Sequence, residues 1–130
     1  MEYVNGASLT NLLARKAISE KKTRYIIKQL LKALNYLHSS MQIVHRDLKP
    51  DNVLYKLQNP NDSHYHKDRV RVKLTDFGFA TFIEKDMTTT KYVLGSYCYM
   101  APEIFKKQRH TSKVDIWALG VMTYLMLSGK

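Results

Sequence analysis

Residues 45–52 constrain this chain more than any other stretch, because they place a carboxylate, two cations and an amide within eight positions. Asp47 can accept a proton, and Asn52 offers an amide oxygen that a metal ion could bind. Pro50 disfavours the helical region for Lys49, so the backbone at this point is expected to be extended or looped. This composition is typical of a catalytic loop.

The overall composition is that of a soluble globular chain with an excess of positive charge. Of its 130 residues, 45% are hydrophobic and 25% are charged, which is enough for one domain with a core. The formal net charge of +10 would suit an anionic partner such as a nucleotide, a nucleic acid or a membrane surface. The basic residues are dispersed and follow no nucleic-acid motif, so we expect a solvated basic face and no nucleic-acid partner.

The sequence shows no signal for secretion or for membrane insertion. Residues 1–6 lack the basic and then apolar pattern of a signal peptide. The longest apolar run, residues 116–127, is too short for a membrane span and predicts a buried helix instead. Cys98 is the only cysteine, which excludes an internal disulfide and fits a reducing compartment. We therefore expect a cytoplasmic protein, with a nuclear location also open.

Hydrophobic periodicity predicts several helices. The longest begins at Ser19, a suitable N-cap, and continues to about Ser39. Its apolar residues recur every three or four positions and would form one buried stripe, which comprises Ile27, Leu30, Leu31, Leu34 and Leu37. Shorter helices are predicted at residues 8–15 and 101–107. Residues 115–128 are apolar on nearly every face, which predicts a helix at the centre of a helical lobe.

Short strands are predicted on both sides of the loop at 45–52. They comprise residues 42–45, 53–55 and 69–74. The last of these alternates between apolar and basic residues, which is the period of a half-buried strand. Residues 56–68 are polar and predict a solvated hairpin tip or a flexible insertion. Residues 75–100 have no sustained period and are expected to form mainly a loop.

Four motifs in a fixed order resemble those of eukaryotic protein kinases of the serine/threonine type. They are residues 45–52, Asp76-Phe77-Gly78, Ala101-Pro102-Glu103 and residues 115–120. The resemblance implies an α+β fold that is mainly α, namely the partial C-terminal lobe of the protein kinase-like fold with short β-hairpins around the catalytic loop. Residues 76–80 and 95–103 also look similar to the calcium/calmodulin-dependent group and to autophagy-initiating kinases.

The resemblance implies a chemical role for each of five residues. Asp47 would orient the substrate hydroxyl and accept its proton, and Asp76 would hold Mg²⁺ against the phosphates of ATP. Asn52 would bind a second magnesium ion, and Lys49 would neutralise charge on the transferring phosphoryl group. Ser96 would contact Asp47 and Lys49 in the substrate-binding region, which favours a Ser/Thr substrate. ATP and Mg²⁺ are therefore the expected cofactors, and a protein is the expected substrate.

Further residues are assigned by the same resemblance. Contacts with the cofactor would be made by Glu2, Val4, Ser8 and Leu54. Arg46 would pair with a phosphorylated residue of the following loop, and Thr90 is the expected site, whereas a loop that needs no phosphate is the alternative. The resemblance thus leaves room for an activating kinase as a partner. His45 and Phe77 would be packing residues, and Asp115 would hydrogen-bond the backbone near the catalytic loop.

The resemblance covers residues 1–130, yet it covers only part of the kinase domain. The glycine-rich loop, strand lysine and helix glutamate of the N-terminal lobe and the last helices of the C-terminal lobe would lie outside it. We expect this fragment alone to be inactive, because the missing parts would cover apolar surface on which a small stability margin depends. The alternatives are a truncated or pseudokinase-like regulatory binding module without catalysis, and a basic nucleic-acid binder.

Overall fold

The computed structural model describes residues 6–14, 17–57, 70–83 and 93–130, which form a mainly helical α+β fold. The helices are α1 (Leu9–Leu13), α2 (Glu20–Asn35), α3 (Pro102–Phe105) and α4 (Lys113–Ser128). The strands are β1 (Ala7–Ser8), β2 (Ile43–Val44), β3 (Val53–Leu57), β4 (Val70–Leu74) and β5 (Thr81–Phe82). The predicted fold class is confirmed.

The strands form two small antiparallel sheets, and residues 45–52 connect β2 of one sheet to β3 of the other. One sheet has the order β1-β3-β4, and the other pairs β2 with β5. Strand β5 lies inside the stretch 75–100 that was predicted to be mainly a loop, and its two residues are too few to show a period. Strand β3 continues to Leu57, so the predicted insertion begins with two strand residues, and its remainder lies outside the described residues.

Helix α2 begins where the sequence predicts, directly after Ser19, but it ends at Asn35, before the predicted end near Ser39. The Ser19 hydroxyl accepts a hydrogen bond from the backbone N–H of Lys22 at 3.4 Å, and a π-helical turn (Tyr36–Ser40) follows the helix. Its buried residues are Thr23, Ile26, Leu30 and Leu34. The predicted stripe is wrong for Leu31, whose side chain is 44% exposed. The buried face follows the four-residue spacing that begins at Ile26, which places Leu31 on the outer side of the helix.

Helix α4 buries one side and exposes the other. Its buried residues are Val114, Asp115, Ala118, Leu119, Met122 and Met126. Its exposed large apolar residues are Ile116, Trp117, Tyr124 and Leu127. The prediction of a buried helix is therefore confirmed for one side of α4 and wrong for the other, which the described residues do not cover. No helix among the described residues is both long enough and apolar enough to cross a membrane.

Residue Gln29 of α2 completes the outer edge of strand β4. Its Nε2 donates to the carbonyl of Val70 at 2.8 Å, and its Oε1 accepts from the N–H of Val72 at 3.2 Å. These two backbone groups belong to a strand that has β3 on its other side. The side chain therefore fixes the β3–β4 hairpin to α2.

One apolar cluster joins the catalytic loop to the helices. Leu48, in the middle of residues 45–52, is 1% exposed and belongs to the same core as Leu9, Ile26 and Met122. A side chain of this size buried in a core contributes roughly 1.5–3 kcal/mol to folding. Leu48 therefore fixes the catalytic loop to the core, although the side chains on both sides of it in the sequence are polar.

Candidate active site

The backbone of the catalytic loop is held by one carboxylate from α4. Asp115, 1% exposed, accepts hydrogen bonds from the N–H groups of His45 and Arg46, each at 2.9 Å. The Nε2 of His38 lies 2.8 Å from the same carboxylate. Arg46 has a φ of 67°, in the left-handed region that a residue with a Cβ seldom occupies. The prediction that Asp115 bonds the backbone beside the loop is confirmed.

Proline shapes the second half of the loop. Lys49 is extended, with φ −156° and ψ 164°, as its position before Pro50 predicts. A 3₁₀ turn (Pro50–Asn52) follows, in which the N–H of Asn52 donates to the carbonyl of Lys49 at 3.0 Å. The tight turn brings the Asn52 side chain back toward Asp47.

Asp47 lies at the centre of the site and uses both carboxylate oxygens. Oδ1 accepts from the N–H and the hydroxyl of Ser96, each at 3.0 Å. Oδ2 accepts from Nδ2 of Asn52 at 2.9 Å and lies 2.9 Å from Nζ of Lys49. The Lys49 ammonium also donates to the Ser96 hydroxyl at 2.8 Å. The structure thus brings together Asp47, Lys49, Asn52 and Ser96, four of the residues that the resemblance assigned to the site.

These donors determine the charge of Asp47. Burial acts to raise the pKa of this carboxyl, because the side chain is almost wholly removed from water. Hydrogen bonds from Lys49, Ser96 and Asn52, together with the positive charge of Lys49, outweigh burial and hold the pKa of Asp47 below its usual value. Asp47 is therefore an ionised acceptor at neutral pH. A carboxylate with this pKa is better suited to orienting a hydroxyl than to removing its proton early.

Residue Gly95 allows Ser96 to reach Asp47. Gly95 has a φ of 110°, and a Cβ at this position would lie 2.6 Å from the carbonyl oxygen of Arg46. A side chain here would therefore collide with the backbone of the catalytic loop. The glycine brings the two segments close enough for Ser96, 49 positions after Asp47, to bond it.

The β3–β4 hairpin places Asp76 beside the catalytic loop. Val53 is opposite Leu74 in the hairpin register, and the N–H of Thr75 donates to the carbonyl of Asn52 at 2.9 Å. Asp76 follows directly, with an exposed side chain and a left-handed φ of 59°. Its Oδ1 accepts from the N–H of Gly78 at 3.1 Å. The register therefore places the backbones of Asn52 and Asp76 next to each other, which their sequence spacing alone could not establish.

The donor atoms of Asn52 and Asp76 fit a magnesium ion. Nδ2 of Asn52 is held by Asp47, so the amide oxygen is the atom that can face a cation, and Asp76 supplies an exposed carboxylate. Mg²⁺ prefers oxygen ligands and is usually bound by one or two protein groups together with phosphate oxygens and water. Among the described residues, no group of three or more His, Cys, Asp or Glu side chains could hold a metal. A site built from these two residues would therefore depend on phosphate oxygens for its remaining ligands.

Two of the four residues assigned to cofactor binding can be placed. Ser8 of β1 is directly opposite Leu54 of β3 in the antiparallel register, so both lie in the same sheet. The Ser8 hydroxyl donates to Oδ1 of Asn11 at 2.6 Å. Glu2 and Val4 lie outside the described residues. The assignment of these residues to cofactor binding stays a prediction.

Arg46 links the catalytic loop to the segment that follows Asp76. Its Nε donates to the carbonyl of Phe79 at 2.6 Å. Burial lowers the pKa of Arg46 and the nearby Asp115 opposes this shift. Thr90, the expected phosphorylation site, lies outside the described residues. A pairing of Arg46 with a phosphorylated residue therefore stays a prediction.

His45 has a packing role, as the resemblance implies. Its ring meets the ring of Phe77 edge to face, with centroids 4.9 Å apart. Both ring nitrogens are engaged, since Nδ1 lies 3.3 Å from the N–H of Asp47 and Nε2 lies 3.0 Å from the carbonyl of Thr75. His45 is fully buried and forms part of the support of Asp47.

Sequence reasoning missed three residues that support the site. They are Gln29, His38 and Gly95. Gln29 lies among the lysines of the polar side of α2, so the sequence does not distinguish it from a solvated residue. His38 has no local signal either, because its partner is 77 positions away. Gly95 directly precedes Ser96, and that position was a signal that could have identified it, because glycine permits close backbone approach.

Sequence comparison shows which known proteins this chain resembles. The protein kinase domain family matches residues 1–130. The chain is 40% identical to the human serine/threonine-protein kinase ULK1 over 131 aligned positions, which cover all of the chain and 12% of that protein. It is 38% identical to the serine/threonine-protein kinase shk1/pak1 of Schizosaccharomyces pombe over 130 positions, again all of the chain and 18% of that protein. The chain thus spans less than a fifth of each relative, and it belongs to the protein kinase domain family.

Proposed function

We propose that this chain supplies the catalytic loop and the magnesium ligands of a serine/threonine protein kinase, which transfers the terminal phosphoryl group of ATP to a Ser or Thr hydroxyl of a protein. The observation that carries the proposal is the position of Asp47. Its ionised carboxylate is held by Lys49, Asn52 and Ser96 from two separate segments. Its carboxylate can therefore accept a hydrogen bond from a substrate hydroxyl in a fixed direction.

The residues around Asp47 divide the chemical work. Asp47 would orient the attacking hydroxyl and accept its proton as the new bond to phosphorus forms. Lys49, partly buried beside it, would stabilise the negative charge that spreads over the transferring oxygens. When bound at Asn52 and Asp76, Mg²⁺ supplies charge neutralisation for the phosphates of ATP. Ser96 keeps Asp47 and Lys49 in register by bonding both.

The Lys49–Ser96 contact supports a Ser/Thr substrate. A lysine in the loop and a hydroxyl residue opposite it are typical of the serine/threonine type of the family, and the names of both relatives include that type. Their contact at 2.8 Å lies beside the carboxylate that would receive the hydroxyl. We therefore expect transfer to Ser or Thr rather than to Tyr.

We expect residues 1–130 alone to be inactive. The described residues supply the Asp47 carboxylate and two side-chain oxygen ligands for a cation, from Asn52 and Asp76. Binding of the ATP phosphates in this family also requires a lysine and a glycine-rich loop. The chain resembles only part of the domain that carries them. Purified residues 1–130 would contradict this expectation if they phosphorylated a generic protein substrate.

The test uses the intact protein that contains this chain. Replacing Asp47 with Asn keeps the size of the side chain and removes its charge, so transfer to a generic Ser/Thr protein should fall by about 10²- to 10⁴-fold. Circular dichroism of both proteins would show whether the fold is retained. Equal transfer by the two proteins would remove Asp47 from its role, and no transfer by either would favour a regulatory binding module.

A further inference from the structure

Two pairs of like charges lie on neighbouring elements of the fold. Lys56 of β3 is directly opposite Arg71 of β4 in the register, and both side chains are exposed. Residues in such positions have Cβ atoms about 4.5–5.5 Å apart, and like charges there destabilise a sheet. On α2, the exposed residues Lys28 and Lys32 are four positions apart, a spacing at which like charges destabilise a helix. Both elements thus carry a repulsion that works against their own stability.

The contact between Gln29 and β4 brings the two pairs together. The Gln29 amide bonds the strand backbone on both sides of Arg71. Lys28 directly precedes Gln29, and Lys32 follows it by three positions, which is about 4.5 Å along the helix axis. The four cations therefore surround one contact between the helix and the hairpin. We call them the basic surface, which comprises Lys28, Lys32, Lys56 and Arg71.

No acidic side chain offsets these charges within the part of the chain that the structure describes. The sequences of α2, β3 and β4 contain one acidic residue, Glu20, which is paired with Arg24 at 2.6 Å. None of the four side chains of the basic surface forms an ion pair or a hydrogen bond with a described residue. The electrostatic potential at this surface is therefore positive, which favours an anionic partner.

The basic surface can recognise such a partner through side chains but not by strand addition. Strand β4 is the outer strand of its sheet, yet Gln29 already occupies the carbonyl of Val70 and the N–H of Val72. A strand that approached this edge would have to displace the amide. The carboxylates of Asp or Glu can instead pair with the lysines, and Arg71 can hold a carboxylate through two parallel N–H groups.

We infer that the basic surface is a docking site for an acidic segment of the protein substrate, a segment that lies apart from the phosphorylated Ser or Thr. This inference rests on the proposed kinase function. Strand β3 leads from Asn52, which bonds Asp47, to Lys56 over four residues, or about 14 Å of extended chain. The docked segment and the acceptor hydroxyl therefore occupy different places, and docking raises the local concentration of the hydroxyl at Asp47.

A nucleic acid and an anionic membrane are the other anionic partners to compare. The basic residues of the chain follow no nucleic-acid motif. Stable attachment to a membrane requires a second signal besides basic residues, such as an inserted apolar face or a lipid chain, and the residue between the four cations is the polar Gln29. A substrate segment needs no such signal, because the acceptor site supplies its second contact.

Binding is tested by fluorescence anisotropy with the intact protein that contains this chain. The labelled peptide alternates Asp and Glu and contains no Ser, Thr or Tyr, and its counterpart has Asn and Gln in place of the acids. The acidic peptide should bind more tightly, and its Kd should rise with salt, which screens exposed charges. Lys56→Glu with Arg71→Glu should raise the Kd by roughly tenfold or more, and Lys28→Glu with Lys32→Glu should also raise it.

A matched control uses two exposed cations outside the basic surface, Lys106 and Lys113. Lys106→Glu with Lys113→Glu changes the net charge by the same amount as each pair of reversals and should leave the Kd unchanged. Circular dichroism of every variant checks that the fold is retained. Lys56→Gln with Arg71→Gln removes the charges without adding acids and should weaken binding less than the reversal does.

Phosphoryl transfer tests whether the docking site serves the substrate. Two peptides carry the same Ser acceptor, and one of them also carries the acidic segment, joined by a Gly/Ser linker of about ten residues with an r.m.s. span of about 17 Å. The acidic segment should lower the KM by roughly tenfold and leave kcat unchanged, because it touches no reacting atom. This gain should disappear in Lys56→Glu with Arg71→Glu, whereas transfer to the peptide without the segment should not change.

The inference is overturned if the acidic peptide binds no more tightly than its amide counterpart, if both reversal variants bind it as the wild type does, or if the segment leaves the KM unchanged while transfer occurs. Binding of the basic surface to duplex DNA, or to vesicles of phosphatidylserine and phosphatidylcholine, but not to the acidic peptide would also overturn it. If the intact protein binds the acidic peptide through these residues but transfers no phosphoryl group, the proposed function fails and the docking site stands.

Discussion

The carboxylate of Asp115 accepts a hydrogen bond at 2.9 Å from the N–H of Arg46, a residue whose φ of 67° lies in the left-handed region. A left-handed residue with a Cβ costs about 1–2 kcal/mol. The same carboxylate bonds the N–H of His45, so one buried side chain from α4 offsets that cost at the start of the catalytic loop. The conformation of the loop thus depends on a helix that begins 61 positions after its last residue, Asn52.

Replacing Asp115 with Asn should destabilise the protein by about 1–3 kcal/mol, because the single oxygen of an amide cannot replace both carboxylate oxygens that His38, His45 and Arg46 contact. The free energy of unfolding in urea measures the loss. Asp51→Asn removes a charge from an exposed side chain and serves as the control. Equal free energies of unfolding for the two variants would show that Asp115 does not hold the loop.

Glycine substitutions should have opposite effects at two positions. Gly95→Ala places a methyl group 2.6 Å from the Arg46 carbonyl at a φ of 110°, so it should separate Ser96 from Asp47 and destabilise the fold. Gly120 is an exposed residue inside α4 with nothing within 4 Å of an added Cβ, and Gly120→Ala should stabilise the protein by about 0.5–1 kcal/mol. Thermal unfolding distinguishes the two, and a stabilising Gly95→Ala would contradict the close approach of the two segments.

Lys49→Met should destabilise the protein in a pH-dependent way. The pKa of Asp47 in the folded protein lies below its unfolded value of about 3.9. The stabilisation that the Asp47 carboxylate gains from partners such as Lys49 is therefore present above about pH 4 and is lost as the pH falls through the pKa of Asp47 in the folded protein. The difference in unfolding free energy between the wild type and Lys49→Met should be largest near pH 6 and should shrink toward pH 3. The control is Lys32→Met, at an exposed position of α2. A difference that stays constant with pH would rule out the pairing as its source.

Two neighbouring leucines of α2 should differ in their contribution to stability. Leu34 is 1% exposed and Leu31 is 44% exposed. Leu34→Ala should cost about 2–5 kcal/mol, as cavities in cores do, and Leu31→Ala should cost much less. Urea unfolding of both variants checks this. Similar costs would show that the sequence-based stripe, which included both residues, was right after all.

Local sequence was sufficient for most of the elements, although not for β5, and for the loop residues, but it was not sufficient for the contacts between distant segments. Pro50 and the charged residues around it indicated an extended loop, and Ser19 indicated the start of α2. The Asp47–Ser96 contact spans 49 positions and was expected only from the family resemblance. The predicted stripe of α2 included the exposed Leu31 and omitted the buried Ile26, because the two residues are equally apolar. Which of them is buried depends on the elements that pack against the helix.

The amide of Gln29 also protects an edge of the β1-β3-β4 sheet from pairing with another strand. Strand β4 is the last strand of its sheet, and an open strand edge can recruit an edge from another molecule and begin aggregation. By donating to Val70 and accepting from Val72, one side chain occupies the pair of backbone groups that an incoming strand would need. A single glutamine on a helix thus substitutes for the protection that a further strand would provide.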